Sequence, residues 1–197
     1  MKTFHPSRVH KGQQQGVTLI EVLVSLLILM VSLLGLVGVM VQSQRSQVES
    51  YERVQALLLV QDMATRMNVN RGVASCYQGV TLGTGNTAAL PTCAASGSTP
   101  AQKARVASDL EQWQQLLLGS AETSGGNNVG AVLGARGCIS AASAASAPAS
   151  STLYQVSVAW QGNSPTAAPP AGIDCGKDEY GNDAQRRAVS VTFQISN

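Results

Sequence analysis

The chain has 197 residues, enough for one domain and an appendage, and only 12% of them are charged. Its formal net charge is +2, but Lys2, Arg8 and Lys11 all precede Val17, and from Val17 onward ten Lys and Arg residues stand against eleven Asp and Glu residues. A charge near −1 leaves no basic patch of the kind that indicates nucleic-acid binding.

Histidine and cysteine usage limits the class of protein further. Both histidines, His5 and His10, precede Val17, so the rest of the chain lacks the commonest acid–base catalyst. We therefore expect no enzyme and no cofactor. The cysteine spacings fit no zinc site, and an even number of cysteines after a membrane segment indicates two disulfides in an oxidising compartment. The cysteines are Cys76, Cys93, Cys138 and Cys175.

The N-terminal part contains one long apolar segment, residues 17–41, with Glu21 as its single charge. As a helix it would be about 38 Å long at 1.5 Å per residue, enough to cross a hydrocarbon core of about 30 Å. The preceding basic residues should stay in the cytoplasm and the remainder should lie outside. This orientation agrees with the disulfide prediction.

The same helix should continue through residues 42–70, which lack Gly and Pro, and should stop at Arg71-Gly72. At 100° per residue this half has two apolar stripes on nearly opposite sides. The first contains Val48, Tyr51, Val54 and Leu58, and the second contains Leu57, Val60, Met63, Ala64 and Met67. Two stripes suggest one face for neighbouring subunits and one for the chain's own domain; a helix buried on both sides within one domain fits the pattern equally well.

A second helix is predicted after Thr99-Pro100, because proline suits the first helical position, and Gly119 should end it. Its apolar residues recur at helical spacing: Val106, Leu110, Trp113 and Leu117. Trp113 should therefore be a core residue. Between the two helices, residues 72–99 form a Gly/Thr/Ala-rich segment.

The C-terminal part predicts antiparallel strands. Residues 153–161 and 188–195 alternate between apolar and small or polar residues, which is typical of half-buried strands, and 131–139 could hold a short strand. Residues 141–151 form a low-complexity linker. The fold class is therefore α+β. Sequence proximity and this strand layout favour the disulfides Cys76–Cys93 and Cys138–Cys175, with the two other pairings left open.

The residues Gly16-Val17-Thr18-Leu19-Ile20-Glu21 resemble the class III signal of type IV prepilins, although Val17 stands where phenylalanine is commonest. The resemblance implies that residues 1–16 are a leader, that prepilin peptidase cuts between Gly16 and Val17, and that the Val17 amine is then methylated. It also implies a docking role for Glu21 between subunits.

The segments LIEVLVSLLILMVSLLGLVGVMVQSQRSQ, YQVSVAWQG and RRAVSVTFQ further resemble the PilV family of minor pilins. This resemblance implies a transmembrane and filament-core helix at 17–43, its amphipathic second half at 44–70, and a periplasmic pilin-type domain at 71–197. The implied location is the bacterial inner membrane and then the pilus, near its tip. The implied partners are other minor pilins, the major pilin, a tip adhesin, prepilin peptidase and the inner-membrane assembly platform.

Glu21 has a physical reason to be functional that does not depend on the family. A lone carboxylate in a bilayer-length helix costs a few kcal/mol and normally marks function. Cleavage after Gly16 creates an α-amine four residues before it, with a reference pKa near 8. That ammonium, on the same chain or a neighbour, is the expected partner; a neutral Glu21 without a role is the alternative.

Other classes of protein have weaker support. Residues 83–88 match a loose dinucleotide-binding pattern, but Pro91 follows where a helix must begin. The acidic residues of 174–183 fit no calcium-binding loop and should be solvated. The main alternative function is a minor pseudopilin of a type II secretion system. A secreted protein cleaved after Ser43 and a membrane-anchored protein of another class are the remaining ones.

Overall fold

The computed structural model describes residues 16–86, 89–128, 130, 132–142 and 151–196. The chain divides into two compact units, one ending at Gln44 and the other beginning at Arg45. The predicted leader, except for Gly16, and most of the predicted linker at 141–151 lie outside the described residues.

Helix α1 runs from Leu19 to Val69. It begins after Thr18, which acts as its cap: Glu21 N–H donates to Thr18 Oγ1 at 3.4 Å and to Thr18 O at 3.1 Å. A 3-10 helix, Arg71–Tyr77, follows directly after a turn at Asn70. The predicted stop at Arg71-Gly72 is therefore displaced by only two residues, but the chain stays helical for one further short element.

Four antiparallel strands form the main sheet, in the order β1-β4-β5-β6. The strands are β1 (Val80–Gly83), β4 (Arg136–Ala142), β5 (Ser151–Gln161) and β6 (Arg186–Ser196), and the last follows a short 3-10 helix, Asp183–Gln185. The β5–β6 ladder pairs all eleven residues of each strand without a bulge, from Ser151 opposite Ser196 to Gln161 opposite Arg186. Two short strands, β2 (Thr123–Ser124) and β3 (Asn127–Asn128), form a separate hairpin.

Helix α2, Pro100–Leu117, is fixed at its start by a capping box. Thr99 Oγ1 accepts from Gln102 N–H at 3.2 Å, and Gln102 Oε1 accepts from Thr99 N–H at 2.9 Å. Trp113 is fully buried and donates from Nε1 to Leu59 O of α1 at 3.0 Å. This bond ties α2 to the part of α1 that belongs to the second unit.

The core of the second unit lies between these helices and one face of the sheet. All four residues of the predicted α2 stripe are buried, and so are four alternating residues of β5: Tyr154, Val156, Val158 and Trp160. The α+β prediction and the two C-terminal strands are confirmed. The expected strand within 131–139 begins five residues later than its predicted start and continues to Ala142, whereas β1 and the hairpin were not predicted.

Candidate functional site

The predicted cleavage bond lies in non-helical backbone directly before α1. Gly16 and Val17 are both exposed, and among the described residues beyond its chain neighbour no atom lies within 4 Å of where a Cβ on Gly16 would stand. A peptidase needs an extended, accessible backbone at the bond that it cuts. The Gly16-Val17 bond is accessible and lies outside the helix.

Glu21 lies in the first turn of α1 and is exposed. A carboxylate at this position is favoured by the helix dipole. No ion pair involves Glu21 in the part of the chain that the structure describes. Its carboxylate is therefore available to the ammonium group that cleavage after Gly16 would create at Val17, on the same chain or on another subunit.

The first half of α1 presents an apolar surface on all sides. Every large apolar side chain from Val17 to Val41 is 44–79% exposed. Within α1, an 18-residue window has a mean hydropathy of 2.9 and none of it is buried, so α1 is long and apolar enough to cross a membrane. The hydroxyls of Ser25 and Ser32 donate to the carbonyls of Glu21 and Ile28 one turn earlier, at 2.7 and 2.8 Å. Satisfied hydroxyls lower the cost of placing this segment in lipid.

The second half of α1 separates the two predicted stripes. Val60, Met63 and Met67 are fully buried in the core, whereas Val48 and Leu58 are 48% and 60% exposed. The other two members of the first stripe, Tyr51 and Val54, are 56% and 55% exposed. The interpretation as a helix buried on both sides is therefore wrong. One stripe builds the domain, and the other remains an apolar surface.

A buried polar network connects both helices and the 3-10 helix. Asp109 on α2 is only 2% exposed and accepts from the Tyr77 hydroxyl at 2.7 Å and from Arg66 Nη1 at 3.2 Å. Arg105 Nε lies 3.4 Å from the same carboxylate, and Asn70 Nδ2 donates to the Tyr77 hydroxyl at 3.2 Å. Burial raises the pKa of Tyr77, which stays a neutral donor. The network orients elements of the domain, and its Arg66 also lines a surface cavity beside Gln112 of α2.

The structure contains the two disulfides that the sequence favours. Cys76 and Cys93 have Cα atoms 4.9 Å apart, and Cys138 and Cys175 have Cα atoms 5.7 Å apart. The second bridge attaches the loop before β6 to β4. Arg186, 3% exposed, also holds that loop, because its Nη1 donates to Cys175 O at 3.1 Å and to Ile173 O at 2.6 Å.

The cavities of the second unit include two beside the sheet and the helices. One of about 300 Å³ lies beside the Cys138–Cys175 bridge and is lined by β1, β4, β5 and Asp174. The other, of about 260 Å³, is mainly apolar and lies between Leu58 and Leu59 of α1 and Leu116 of α2. Over the described ranges, no three His, Cys, Asp or Glu side chains come together as a metal site.

Sequence reasoning missed the buried charges of the domain. Asp109 lies next to Leu110 of the apolar stripe, and its partner Arg66 is 43 residues away. In the sequence, Arg186 and Arg187 look like two equivalent loop arginines. In the structure, Arg186 is almost fully buried, whereas Arg187 is partly exposed and pairs with Glu49 of α1. Neither pairing has a local sequence signal.

Two family models match the chain. Residues 39–108 match the model described as type IV pilin Tt1218, and residues 11–37 match the prokaryotic N-terminal methylation motif. Both matches support membership in the type IV pilin superfamily. No curated protein and no solved structure matches the chain significantly.

The motif and the apolar helix fit a membrane-anchored pilin, and the helix, small sheet and two disulfides fit a pilin-type domain. Membership in this family also suggests assembly with other pilins and processing by prepilin peptidase.

Proposed function

We propose that this pilin is a minor pilin of a type IV pilus, of the PilV type, that helps to prime pilus assembly as part of a minor-pilin complex. Its role is structural rather than enzymatic. The observation that carries the proposal is the N-terminal segment: an accessible Gly16-Val17 bond, a capped helix start, a lone acid at Glu21 and an exposed apolar helix.

The division of the chain follows from the same segment. Residues 1–16 are a leader that prepilin peptidase removes, and Val17 becomes the methylated N-terminus. Residues 17–43 anchor the protein in the inner membrane before assembly and enter the filament core afterwards. Residues 44–70 continue the helix, and residues 71–197 with that half-helix form the periplasmic domain. Partners are other minor pilins, the major pilin, the assembly platform and a tip adhesin.

The exposed stripe on α1 supports a subunit that is surrounded by others. Val48, Tyr51, Val54 and Leu58 form an apolar surface next to the apolar cavity at Leu59. Contiguous exposed apolar surface marks interaction sites. In a filament this stripe would contact neighbouring subunits, while the opposite stripe stays in the domain core.

N-terminal sequencing of the mature chain tests the processing step. The expected first residue is a methylated Val17 in wild type, whereas Gly16→Leu should leave an uncut precursor in the membrane, because a side chain at this position obstructs the approach of the peptidase. The matched control is Gln15→Leu, which changes the neighbouring residue and should be cut normally. A Gly16→Leu chain that still begins at Val17 would show that the leader is wrongly assigned.

Co-purification tests the choice of filament. The detergent-extracted wild-type chain should be recovered with minor pilins of a type IV pilus. Recovery with components of a type II secretion system would replace the proposal by the pseudopilin alternative.

A further inference from the structure

The two edges of the four-stranded sheet differ in what occupies their backbone groups. At the β1 edge, Gly83 N–H donates to Gln114 Oε1 at 2.6 Å, and the Gln114 amide donates back to Gly83 O at 3.5 Å. The side-chain amide of Asn86 donates to the carbonyl of Thr81. The protein's own side chains therefore close this edge against another strand.

The β6 edge has no such closure. Gly162 N–H donates to Gln185 O at 2.7 Å. In the β6 strand, the backbone N–H and carbonyl groups of the odd-numbered residues therefore point towards β5. Because the direction of these backbone groups alternates along an antiparallel strand, the N–H and carbonyl groups of the even-numbered β6 residues point away from the sheet. These residues are Ala188, Ser190, Thr192 and Gln194. Among the described residues, no partner for their outward N–H or carbonyl groups exists.

The usual devices that protect an exposed edge are also missing. Natural edge strands carry lysine, proline, bulges or very short lengths. From Ala188 to Ser196, β6 contains no charged residue, no proline and no glycine, and its eleven-residue ladder has no bulge. Such an edge is suited to pairing with another strand.

We propose that the β6 edge, Ala188–Gln194, binds an extended strand of another protein subunit by strand addition. This inference rests on the proposed function in that the partner is another subunit of the same assembly. Val191 and Phe193, on the core side, are only partly buried. The added strand should place apolar residues beside them and small or polar residues beside Ser190 and Thr192. It should carry no charge in the paired stretch.

A second copy of the chain does not fit this edge. The β6 edges of two copies can pair with each other only if one copy is rotated by 180° relative to the other. An axis normal to the sheet pairs them antiparallel but reverses the part of α1 that packs on the sheet, from Ala56 to Met67, whereas subunits of one assembly share one direction. An axis along the strands keeps their direction but turns one sheet over, which sets the apolar face of one copy beside the polar face of the other. The β1 edge of a second copy is closed by Gln114 and Asn86.

Hydrogen exchange of the full mature chain in detergent, alone and in its isolated complex with other pilins, tests the proposal. The amides of Ser190, Thr192 and Gln194 should exchange freely in the single chain and at least about tenfold more slowly in the complex. A photo-reactive residue at Thr192 should cross-link to an uncharged, alternating strand of a different subunit.

Thr192→Lys and Gln155→Lys form a matched pair of variants. The two residues lie opposite each other in the β5–β6 ladder, but only Thr192 is on the edge strand. Thr192→Lys should reduce recovery of the partner at least about tenfold, and Gln155→Lys should not. Recovery that is equal for both variants overturns the proposal.

The remaining outcomes are equally decisive. An intact pilin complex in which the β6 amides stay open would overturn strand addition and leave the proposed function standing. A cross-link from Thr192 to a second copy would replace the partner by self-association. Failure of the wild-type chain to associate with any pilin would remove both the proposed function and this inference.

Discussion

Arg187, at the start of β6, donates from Nε to Glu49 Oε1 of α1 at 2.6 Å. Its other nitrogens donate to Ala184 O at 3.0 Å and Ser164 O at 2.6 Å, so the guanidinium is held at three places. Glu52, three residues after Glu49, has a buried Oε2 for which the described residues offer no hydrogen bond of good geometry, although the Trp160 indole lies close enough to lower its pKa slightly. Burial and, after it, repulsion by Glu49 raise the pKa of Glu52.

Glu52→Gln should stabilise the domain at neutral pH. Because the pKa of Glu52 is higher in the folded than in the unfolded chain, the folded chain binds more protons between those two values, and the free energy of unfolding falls as pH rises from about 4.5. Glutamine removes this loss. Urea unfolding of the detergent-solubilised chain, followed by the fluorescence of Trp113 and Trp160, should show a gain at pH 7 that vanishes towards pH 4.

Glu49→Gln is the matched control, because it leaves the Arg187 guanidinium, 13% exposed, without its anion. It should lower the free energy of unfolding at pH 7. A Glu52→Gln variant less stable than wild type at pH 7 would contradict the role of burial.

Asp109→Asn should lower the free energy of unfolding of the second unit by about 2–4 kcal/mol. The buried carboxylate accepts hydrogen bonds from Arg66 on one oxygen and from Tyr77 on the other, and the amide nitrogen of asparagine would face one of these donors instead of accepting from it. The same urea measurement checks it. Glu111→Gln, on an exposed position of α2, is the control and should change stability by less than about 0.5 kcal/mol. Equal stability of both variants would mean that the network is dispensable.

The predictable parts of the fold were those with a repeating local signal. The stripe from Val106 to Leu117 and the alternation from Tyr154 to Trp160 each run for several periods, and the structure buries both. Strand β1 has only four residues, Val80–Gly83, too few for a period to stand out, and it exists because β4 pairs with it. Tertiary pairing, rather than local propensity, determines such a strand.

The functional surfaces show the same limit. The apolar segment and Glu21 are visible in the sequence because composition alone sets them apart. The open β6 edge is not, since the residues from Ala188 to Gln194 read as any half-buried strand. Whether such a strand is central or at an edge depends on the order β1-β4-β5-β6, and this order is a property of the whole sheet.

Removal of the Cys138–Cys175 bridge should cost more stability than removal of Cys76–Cys93. The closed loops span 37 and 17 residues, and loop entropy alone makes the longer one worth about 0.7 kcal/mol more, within a usual range of about 2–5 kcal/mol. Double Cys→Ser variants of each bridge, compared by the amount of folded chain in the membrane fraction, measure the difference.

Non-reducing peptide mapping of the wild-type chain is the control for this comparison. It should link Cys76 to Cys93 and Cys138 to Cys175. A peptide that joins Cys76 to Cys138 would overturn the pairing, and a greater loss from the shorter loop would show that the attachment of the loop before β6 is not the important constraint.

Glu21→Val should separate membrane insertion from assembly. Valine costs less than glutamate in a bilayer, so the variant should insert normally. Cleavage after Gly16 should also survive, because the bond precedes the change and lies outside the helix. Entry into a pilin complex should fail, because the Val17 ammonium then lacks the carboxylate that favours one axial register between subunits in a medium of low dielectric constant.

Glu21→Asp, with the charge but a shorter reach, should retain part of the ability to enter the complex. Membrane fractionation, N-terminal sequencing and partner recovery from the same samples measure the three steps. Normal partner recovery and normal piliation with Glu21→Val would show that the carboxylate is not a docking group.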